Sequence, residues 1–296
     1  MTQILTALTR HYVILASDRQ LTFTTGDRKG EVAEDDACKL VSFNHLFGIG
    51  YSGAAQLDGS PTHEWIAKTV ATGGAQDVDE ATTILARNAT LAVEALPPDL
   101  RRLTLVAAGW EQFEGPSGLS PHACFISNAH DSEGRPLLVA TNEFQRRILV
   151  LRPDADNSLI LIGEVLDESR RTQLKRNLRR LDDRMAGPTE AMRLLVDEIV
   201  NTNQHGDGTV GHRVLAFCIP RLSAEKFLLT GSASMAGILP VAHCSSFAYF
   251  DAGYSKLRQQ APTVVCGNQA AVIETIENDP VTGGVRRLAF RMLTAP

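Results

Sequence analysis

The sequence lacks the cysteine and histidine patterns that are typical of disulfide frameworks and metal sites. Its five cysteines are scattered and odd in number, and no two of them form a CxxC pair. Its eight histidines show neither HxxxH nor HExxH spacing. No apolar run reaches the roughly 18 residues that a membrane-spanning helix needs, and the opening stretch has no long apolar core of a secretory signal. We therefore expect a reduced, cytoplasmic protein with no metal, no cofactor and no membrane partner.

An excess of positive charge is also absent. Lysine and arginine number 29 against 34 for aspartate and glutamate, a net charge of −5 that disfavours a nucleic-acid-binding protein. Segment 170–185 is an exception, because Leu174, Leu178, Leu181 and Met185 are spaced four, three and four apart and predict an amphipathic helix. The rest of its surface is basic, through Arg170, Arg171, Lys175, Arg176, Arg179, Arg180 and Arg184. We interpret this surface as solvated or in contact with another subunit; a nucleic-acid-binding protein is the weaker alternative.

Periodicity predicts strands and helices in alternating groups within one sizeable core. The predicted strands lie at 3–8, 12–17, 39–43, 46–51, 103–108, 123–127, 147–151, 159–163 and 213–219. The predicted helices lie between Ser60-Pro61 and Gly73-Gly74, between Asp77 and Leu96, over 170–185 and over 189–203. Groups of strands that alternate with groups of helices indicate an α+β fold with antiparallel sheets and helices on their faces.

Local signals define several element ends. A turn is predicted at Asn44–His45, between two strands. Ser60 is the predicted cap of the first helix, with Pro61 in its first position. Asp77 and Glu80 have the spacing of a capping box at the start of the second helix.

Residues 221–296 follow this core as a C-terminal extension. Strands are predicted at 227–230, 263–266 and 286–291, and a short helix over 270–278. Neither an internal repeat nor a low-complexity linker is present. We expect residues 1–220 to form the core domain and residues 221–296 to be an elaboration packed on it.

A candidate nucleophile stands directly behind the initiator methionine. Thr2 leads into a strand that places Ile4, Thr6 and Leu8 on one face and Gln3, Leu5 and Ala7 on the other. A threonine hydroxyl is a weak nucleophile until a base takes its proton, and a free α-amino group with a pKa near ~8 can be that base. If Met1 is removed, Thr2 offers both groups. The ordinary alternative is a buried terminus without chemistry.

Three further signals lie at strand ends. Asp18 closes the second strand beside Arg19, Lys39 opens the third strand, and Gly53 follows Ser52 after the fourth. Each also has an ordinary structural interpretation, as a turn aspartate, a solvated lysine and a close backbone approach.

Together these stretches resemble the start of the proteasome β-type and HslV-type peptidases, the threonine branch of the N-terminal-nucleophile hydrolases. In that family an aspartate follows the threonine by sixteen positions, and here 18 − 2 = 16. A lysine at a strand start precedes a glycine by fourteen positions, and here 53 − 39 = 14. The stretch GPTEAMRLLVDEIVNTNQHGDGTVGHRVLAFCIP is similar to the family's second helix pair and the strand that follows it. The resemblance covers roughly residues 2–220.

The resemblance implies a four-layer α-β-β-α sandwich and cleavage of peptide bonds through an acyl-enzyme. Thr2 would be the nucleophile, Lys39 would favour its deprotonation, and Asp18 would keep Lys39 charged. The backbone N–H of Gly53 would be the oxyanion donor. Implied supporting residues are Arg19, Thr22, Asp207 and Gly211. Implied substrate-binding residues are Leu21, Ala37, Tyr51 and Ala55.

The resemblance also implies partners: a peptide or protein substrate and a homo-oligomer, with rings as one form. Whether an ATP-dependent unfoldase delivers the substrate stays open.

Several features depart from the family pattern. The stretch from Asp18 to Lys39 is longer by a few residues and contains the acidic run 31–36. Glu164 and Val210 stand where the family has serines that support the threonine amine. These departures keep a catalytically silent scaffold subunit as an alternative. A small-molecule amidase of the same fold, with its pocket narrowed by residues 221–296, is another.

Overall fold

The structure is a computed structural model, and it describes the chain in segments. The described residues are 2–23, 26–43, 46–75, 77–112, 118–131, 135–151, 157–163, 166–205, 210–221, 246–250, 257–258, 263–266, 269–278 and 285–293. The predicted turn at Asn44–His45 and the predicted strand 227–230 lie outside these residues.

The described segments contain strands grouped with helices. In chain order the strands are β1 (Gln3–Thr9), β2 (Tyr12–Asp18), β3 (Leu21–Thr22), β4 (Val32–Glu34), β5 (Leu40–Phe43), β6 (Phe47–Gly53), β7 (Gln56–Leu57), β8 (Ser60–Pro61), β9 (Leu103–Gln112), β10 (Leu119–Ser127), β11 (Gln145–Val150), β12 (Asn157–Gly163), β13 (Val214–Pro220), β14 (Ser246–Phe250), β15 (Leu257–Arg258), β16 (Thr263–Cys266), β17 (Gln269–Asn278) and β18 (Val285–Leu293). The helices are α1 (Thr62–Gly73), α2 (Val78–Glu94), α3 (Glu168–Asp183) and α4 (Pro188–His205), with a 3₁₀ turn at Pro98–Leu100. This mixed content is compatible with the predicted α+β class.

The strands form two large sheets. The first has the order β12-β1-β2-β13-β14-β15, and all of its neighbours are antiparallel. The second has the order β11-β10-β9-β6-β5-β16-β17-β18. Its β5–β16 pair is parallel and its other pairs are antiparallel. Two short hairpins, β3–β4 and β7–β8, lie outside these sheets. The nine strands predicted within residues 1–220 are all present, with ends shifted by a few residues.

Both faces of β1 are covered. Ile4 and Leu8 of β1 belong to a buried cluster that joins the two sheets and includes residues of α1 and α2. Leu5 and Ala7 belong to a second cluster with α3 and α4. The predicted assignment of these four side chains to opposite faces is confirmed. Because hydrophobic contacts hold β1 from two sides, the strand behind Thr2 is firmly placed.

The predicted cap of the first helix is wrong. Ser60 and Pro61 form β8, which pairs with β7 across a two-residue turn, and α1 begins only at Thr62. Asp58 and Gly59 in that turn have φ values of 48° and 72°, the conformation that a tight hairpin turn requires. Ser60 is therefore part of the hairpin and does not cap α1. At α2 the cap prediction is confirmed, because the Asp77 side chain accepts from the Glu80 N–H.

The predicted helix over 270–278 is also wrong, because these residues form β17. Alanine and glutamate in this stretch favour a helix, but Val272, Ile273, Thr275 and Ile276 are β-branched and favour a strand. Pairing with β16 on one side and β18 on the other settles the competition. The predicted strands 263–266 and 286–291 are confirmed as β16 and part of β18. Through β16, these strands continue the second sheet beyond β5.

Among the helices of the described segments, none combines the length and apolar character needed to cross a membrane.

Candidate active site

Lys39 lies at the centre of a buried polar cluster beside Thr2. Its Nζ donates to Thr2 Oγ1 at 2.9 Å and to Asp18 Oδ2 at 3.1 Å, and it also donates to the Gln20 carbonyl. Lys39 and Asp18 are both 0% exposed, whereas Thr2 is half-buried. A protonated lysine has three N–H donors, and each has an acceptor here. The structure thus brings together Thr2, Asp18 and Lys39, three of the four predicted catalytic residues.

The Asp18 carboxylate accepts hydrogen bonds from the backbone of three segments of the chain. Its Oδ1 accepts from the Gln3 N–H at 2.8 Å, and its Oδ2 accepts from the N–H groups of Gln20 and Gly211, each at 3.2 Å. Asp18 ends β2, Gln3 begins the neighbouring β1, and Gly211 precedes β13 on the other side. Hydrogen bonds from backbone N–H groups to a carboxylate are charge-assisted and stronger than bonds between neutral groups. The carboxylate is therefore held where Lys39 can reach it.

Burial and the carboxylate act on Lys39 in opposite directions. Burial lowers the pKa of the ammonium, and the charge and hydrogen bond of Asp18 raise it, with burial the larger effect. The pKa of Lys39 is lower than that of an exposed lysine as a result. The proton beside the Thr2 hydroxyl is accordingly easier to release than that of a surface lysine.

Gly53 is the fourth predicted catalytic residue, and it ends β6. The Tyr51 N–H donates to the Lys39 carbonyl at 3.2 Å, so Gly53 lies two residues past the point where β6 meets Lys39. Its φ is +111°, and a Cβ at this position would lie 2.1 Å from the Arg102 carbonyl oxygen. Only glycine adopts this conformation without strain. Gly53 itself is exposed.

Two positions at the site were not predicted as site residues. Gly163, at the end of β12, has a φ of +85°, and a Cβ there would lie 1.6 Å from the Thr2 carbonyl oxygen. Its signal in the sequence was its place directly before Glu164, at the glycine of the glycine-serine pair that the family resemblance implies. Gln20 acts through its backbone, which accepts from Lys39 and donates to Asp18. A backbone role leaves no mark on residue type, so the sequence carries no signal for it.

No protein-family model matches this chain, and no curated protein matches it. The chain is similar to solved structures that include Anbu (ancestral beta-subunit) from Yersinia bercovieri, at 13% identity, covering 74% of this chain and 81% of that chain with a TM-score of 0.42. They also include eukaryotic HslV from Trypanosoma brucei, at 20% identity, covering 74% of this chain and 99% of that chain with a TM-score of 0.38. Likenesses this distant carry no inference about activity.

The predicted supporting residues make different contacts in the structure. Arg19 is buried, its Nε donates to the Ala37 carbonyl at 3.1 Å, and its guanidinium pairs with Asp36 at 3.0 Å. It therefore holds the segment that leads into Lys39. Gly211 bonds Asp18 as described, and Thr22 lies in β3, paired with Val32. Asp207 lies outside the described residues, as do Met1 and Glu164.

The β3–β4 hairpin explains why the chain between Asp18 and Lys39 is long. Residues 26–36 contain its turn and its second strand, and Leu21 pairs with Glu34 at its base. The extra residues therefore extend away as a hairpin without displacing Lys39 from Asp18.

The predicted substrate-binding residues lie along the chain segments that carry Lys39 and Gly53. Ala37 is buried two residues before Lys39, and Leu21 is half-buried in β3. Tyr51 is buried, its hydroxyl donates to the Cys38 carbonyl at 3.2 Å, and burial raises the pKa of its phenol. Ala55 is exposed, two residues after Gly53.

Some basic residues in and just after α3 pair with nearby acids, among them Arg179 with Asp183. Arg170 pairs with Glu198, and Arg184 pairs with Glu190. An open groove of about 550 Å³ lies between α3 and α4, and none of the predicted site residues lines it. These ion pairs favour a structural interpretation of the part of this surface that they cover.

Proposed function

We propose that this chain is an N-terminal threonine hydrolase that cleaves peptide bonds through an acyl-enzyme on Thr2, after removal of Met1. The observation that carries the proposal is the contact of 2.9 Å between Lys39 Nζ and Thr2 Oγ1, inside a buried cluster anchored by Asp18. Burying a lysine and an aspartate costs free energy and adds little stability over apolar residues of similar size. A buried charged pair aimed at a threonine hydroxyl is therefore better explained by chemistry than by folding.

In the proposed reaction the Thr2 amine takes the proton from Oγ1 as Oγ1 bonds to the substrate's carbonyl carbon. The carbonyl oxygen becomes an oxyanion that accepts from the Gly53 N–H, while Lys39 lowers the energy of the negative charge on Oγ1. Breakage of the C–N bond passes the proton to the leaving amine and leaves an ester on Thr2. The amine then takes a proton from water as the water oxygen attacks the ester. Breakdown of this second intermediate returns the proton to Oγ1 and releases the acid.

The proposal also covers the fold, the assembly and the cellular location of the enzyme. We propose that the two sheets and four helices form the four-layer α-β-β-α sandwich, with residues 1–220 as its core and 221–296 as an elaboration. We further propose a cytoplasmic homo-oligomer that acts on peptide or protein substrates. Asp207 and Gly211 would support the threonine amine from the loop before β13.

A catalytically silent scaffold subunit is the second candidate. Val210 supports it, because a buried valine in the cluster between the first sheet and its helices cannot hydrogen-bond an amine through its side chain. Labelling of Thr2 by an electrophile separates the two candidates, since a silent subunit would not react.

The small-molecule amidase is supported by the C-terminal strands. Lys39 precedes β5, and β16 pairs with β5. Strands β16, β17 and β18 of the extension therefore continue the second sheet, which also contains Gly53. Turnover of an unfolded protein compared with turnover of short amides distinguishes an amidase from a peptidase.

The first test is intact mass and N-terminal sequencing of protein purified from its native host, before and after treatment with a peptide epoxyketone. This reagent needs a free amine and a hydroxyl on the same residue. We expect loss of Met1 and a single adduct on Thr2, with no adduct on Thr2→Ala. Complete retention of Met1 would refute the catalytic proposal.

A further inference from the structure

The turn after Gly53 is held by a residue outside the catalytic cluster. Thr62, the first residue of α1, is 0% exposed, and its hydroxyl donates to the Ala54 carbonyl at 2.7 Å. Its own N–H donates to the Ala55 carbonyl at 3.0 Å. One side chain and its backbone therefore anchor both residues that follow Gly53.

The other side of the turn rests on Arg102. The Ala54 N–H donates to the Arg102 carbonyl at 2.8 Å, the same oxygen that leaves no room for a Cβ on Gly53. Because Gly53 pairs with Leu103 in the β6–β9 ladder, any movement of residues 101–103 also moves Gly53.

Asn128 fixes this second support. Its side chain is fully buried after β10, its Oδ1 accepts from the Leu103 N–H at 2.9 Å, and its Nδ2 donates to the Arg101 carbonyl at 2.7 Å. The side-chain amide thus bonds the residues on both sides of Arg102. A buried amide with its donors and acceptor satisfied is rigid, because each lost bond would cost desolvation.

We propose that Thr62 and Asn128 are positioning residues that set the direction of the Gly53 N–H as the oxyanion donor. This inference rests on the proposed function. An oxyanion donor is effective only when it points at the place where charge develops, and glycine at positive φ does not hold that direction by itself. Among the described residues, no hydrogen bond joins Thr62 or Asn128 to Thr2, Asp18 or Lys39, so their effect reaches the reaction through Gly53.

The test compares kcat, KM and the inhibition constant of a peptide boronate, whose tetrahedral adduct places an oxygen where the oxyanion would be. Thr62→Val keeps the shape and loses the hydroxyl, and we expect kcat to fall about tenfold or more with little change in KM. The boronate's inhibition constant should rise by the factor by which kcat/KM falls. Thr62→Ser, which keeps the hydroxyl, should restore most of kcat. Asn128→Asp, which loses the Nδ2 donor to the Arg101 and Thr141 carbonyls, should behave like Thr62→Val.

Thr82→Val is the matched control. Thr82 is also 0% exposed, and its hydroxyl donates to the Asp79 carbonyl of α2 and accepts from the Arg146 guanidinium, each at 3.1 Å. It should lower stability by a similar amount and leave kcat and boronate binding unchanged.

The outcomes separate the two proposals. If the wild-type enzyme shows no hydrolysis that depends on Thr2, the proposed function is wrong. If that hydrolysis is present but Thr62→Val and Asn128→Asp keep both kcat and boronate affinity, the positioning role is wrong. A fall in kcat no larger than that of Thr82→Val would also overturn the positioning role. If Thr62→Val does not fold, the result for Asn128→Asp decides whether the positioning role holds.

Discussion

Replacing Asp18 with asparagine tests whether the buried carboxylate controls both stability and reactivity. The change keeps the shape of the side chain and removes its charge. It leaves the buried Lys39 ammonium without its counter-ion, and three backbone N–H groups then face a neutral amide. We expect losses in two separate measurements.

The structure allows both losses to be estimated. Removing one partner of a buried ion pair costs about 3–5 kcal/mol, a large part of the roughly 5–15 kcal/mol that stabilises a typical domain. Asp18 also raises the pKa of Lys39 against the effect of burial, so the Asp18→Asn variant should have a lower Lys39 pKa and a larger fraction of neutral amine. Without the positive charge beside Oγ1, we expect acylation of Thr2 to slow by about 10²-fold.

Urea unfolding at pH 7.5 measures the first loss, and mass-resolved labelling of Thr2 by a β-lactone measures the second. Asp182→Asn is the control, because Asp182 is also buried and accepts from the Arg10 and His11 backbones. Asp182 lies in α3 and contacts the turn after β1, which is roughly 25 Å along that strand from Thr2. The control should lose stability and keep its labelling rate. An Asp18→Asn protein that is folded and labels as fast as the wild type would refute the role given to Asp18.

Two further predictions concern other groups near the site. Gly163→Ala would bring a Cβ to 1.6 Å from the Thr2 carbonyl oxygen and so displace Thr2. Epoxyketone labelling should therefore fall at least tenfold in protein that still unfolds cooperatively. Unchanged labelling would show that the contact with Gly163 does not position Thr2. Burial lowers the pKa of His63 to about 4, so this imidazole is neutral in the folded protein and charged in the unfolded chain between about pH 4 and 6.5. Stability should therefore fall by about 2 kcal/mol from pH 7 to pH 5 through His63, and His63→Asn should lose that part of the pH dependence; an equal slope in both proteins would contradict the assignment.

The sequence predicts the central strands and their faces because both follow from periodicity. Alternation in β1 assigns Ile4 and Leu8 to one side and Leu5 and Ala7 to the other, as observed. The meeting of Thr2, Asp18 and Lys39 is less direct. Each lies at a strand end, and only the spacing shared with a known family indicates that these ends converge.

Other features could not be predicted because competing interactions decide them. The helix predicted over 270–278 is a strand because β16 and β18 pair with it, and a single-segment pattern contains neither partner. The β7–β8 hairpin had a readable signal in Asp58-Gly59, yet the Ser60-Pro61 pair is an equally good helix start. The backbone contacts of Gln20 follow only from the assembled loops.

The bond between Asp18 and Gly211 spans 193 residues of sequence. During synthesis β1 and β2 leave the ribosome long before Gly211, whose N–H completes the hydrogen bonds to the Asp18 carboxylate. A growing chain therefore carries an immature centre until β13 has been made and has paired with β2, because long-range pairing is a late event in folding. The order of the elements therefore delays completion of the cluster around Asp18 and Lys39 until most of the first sheet has been made.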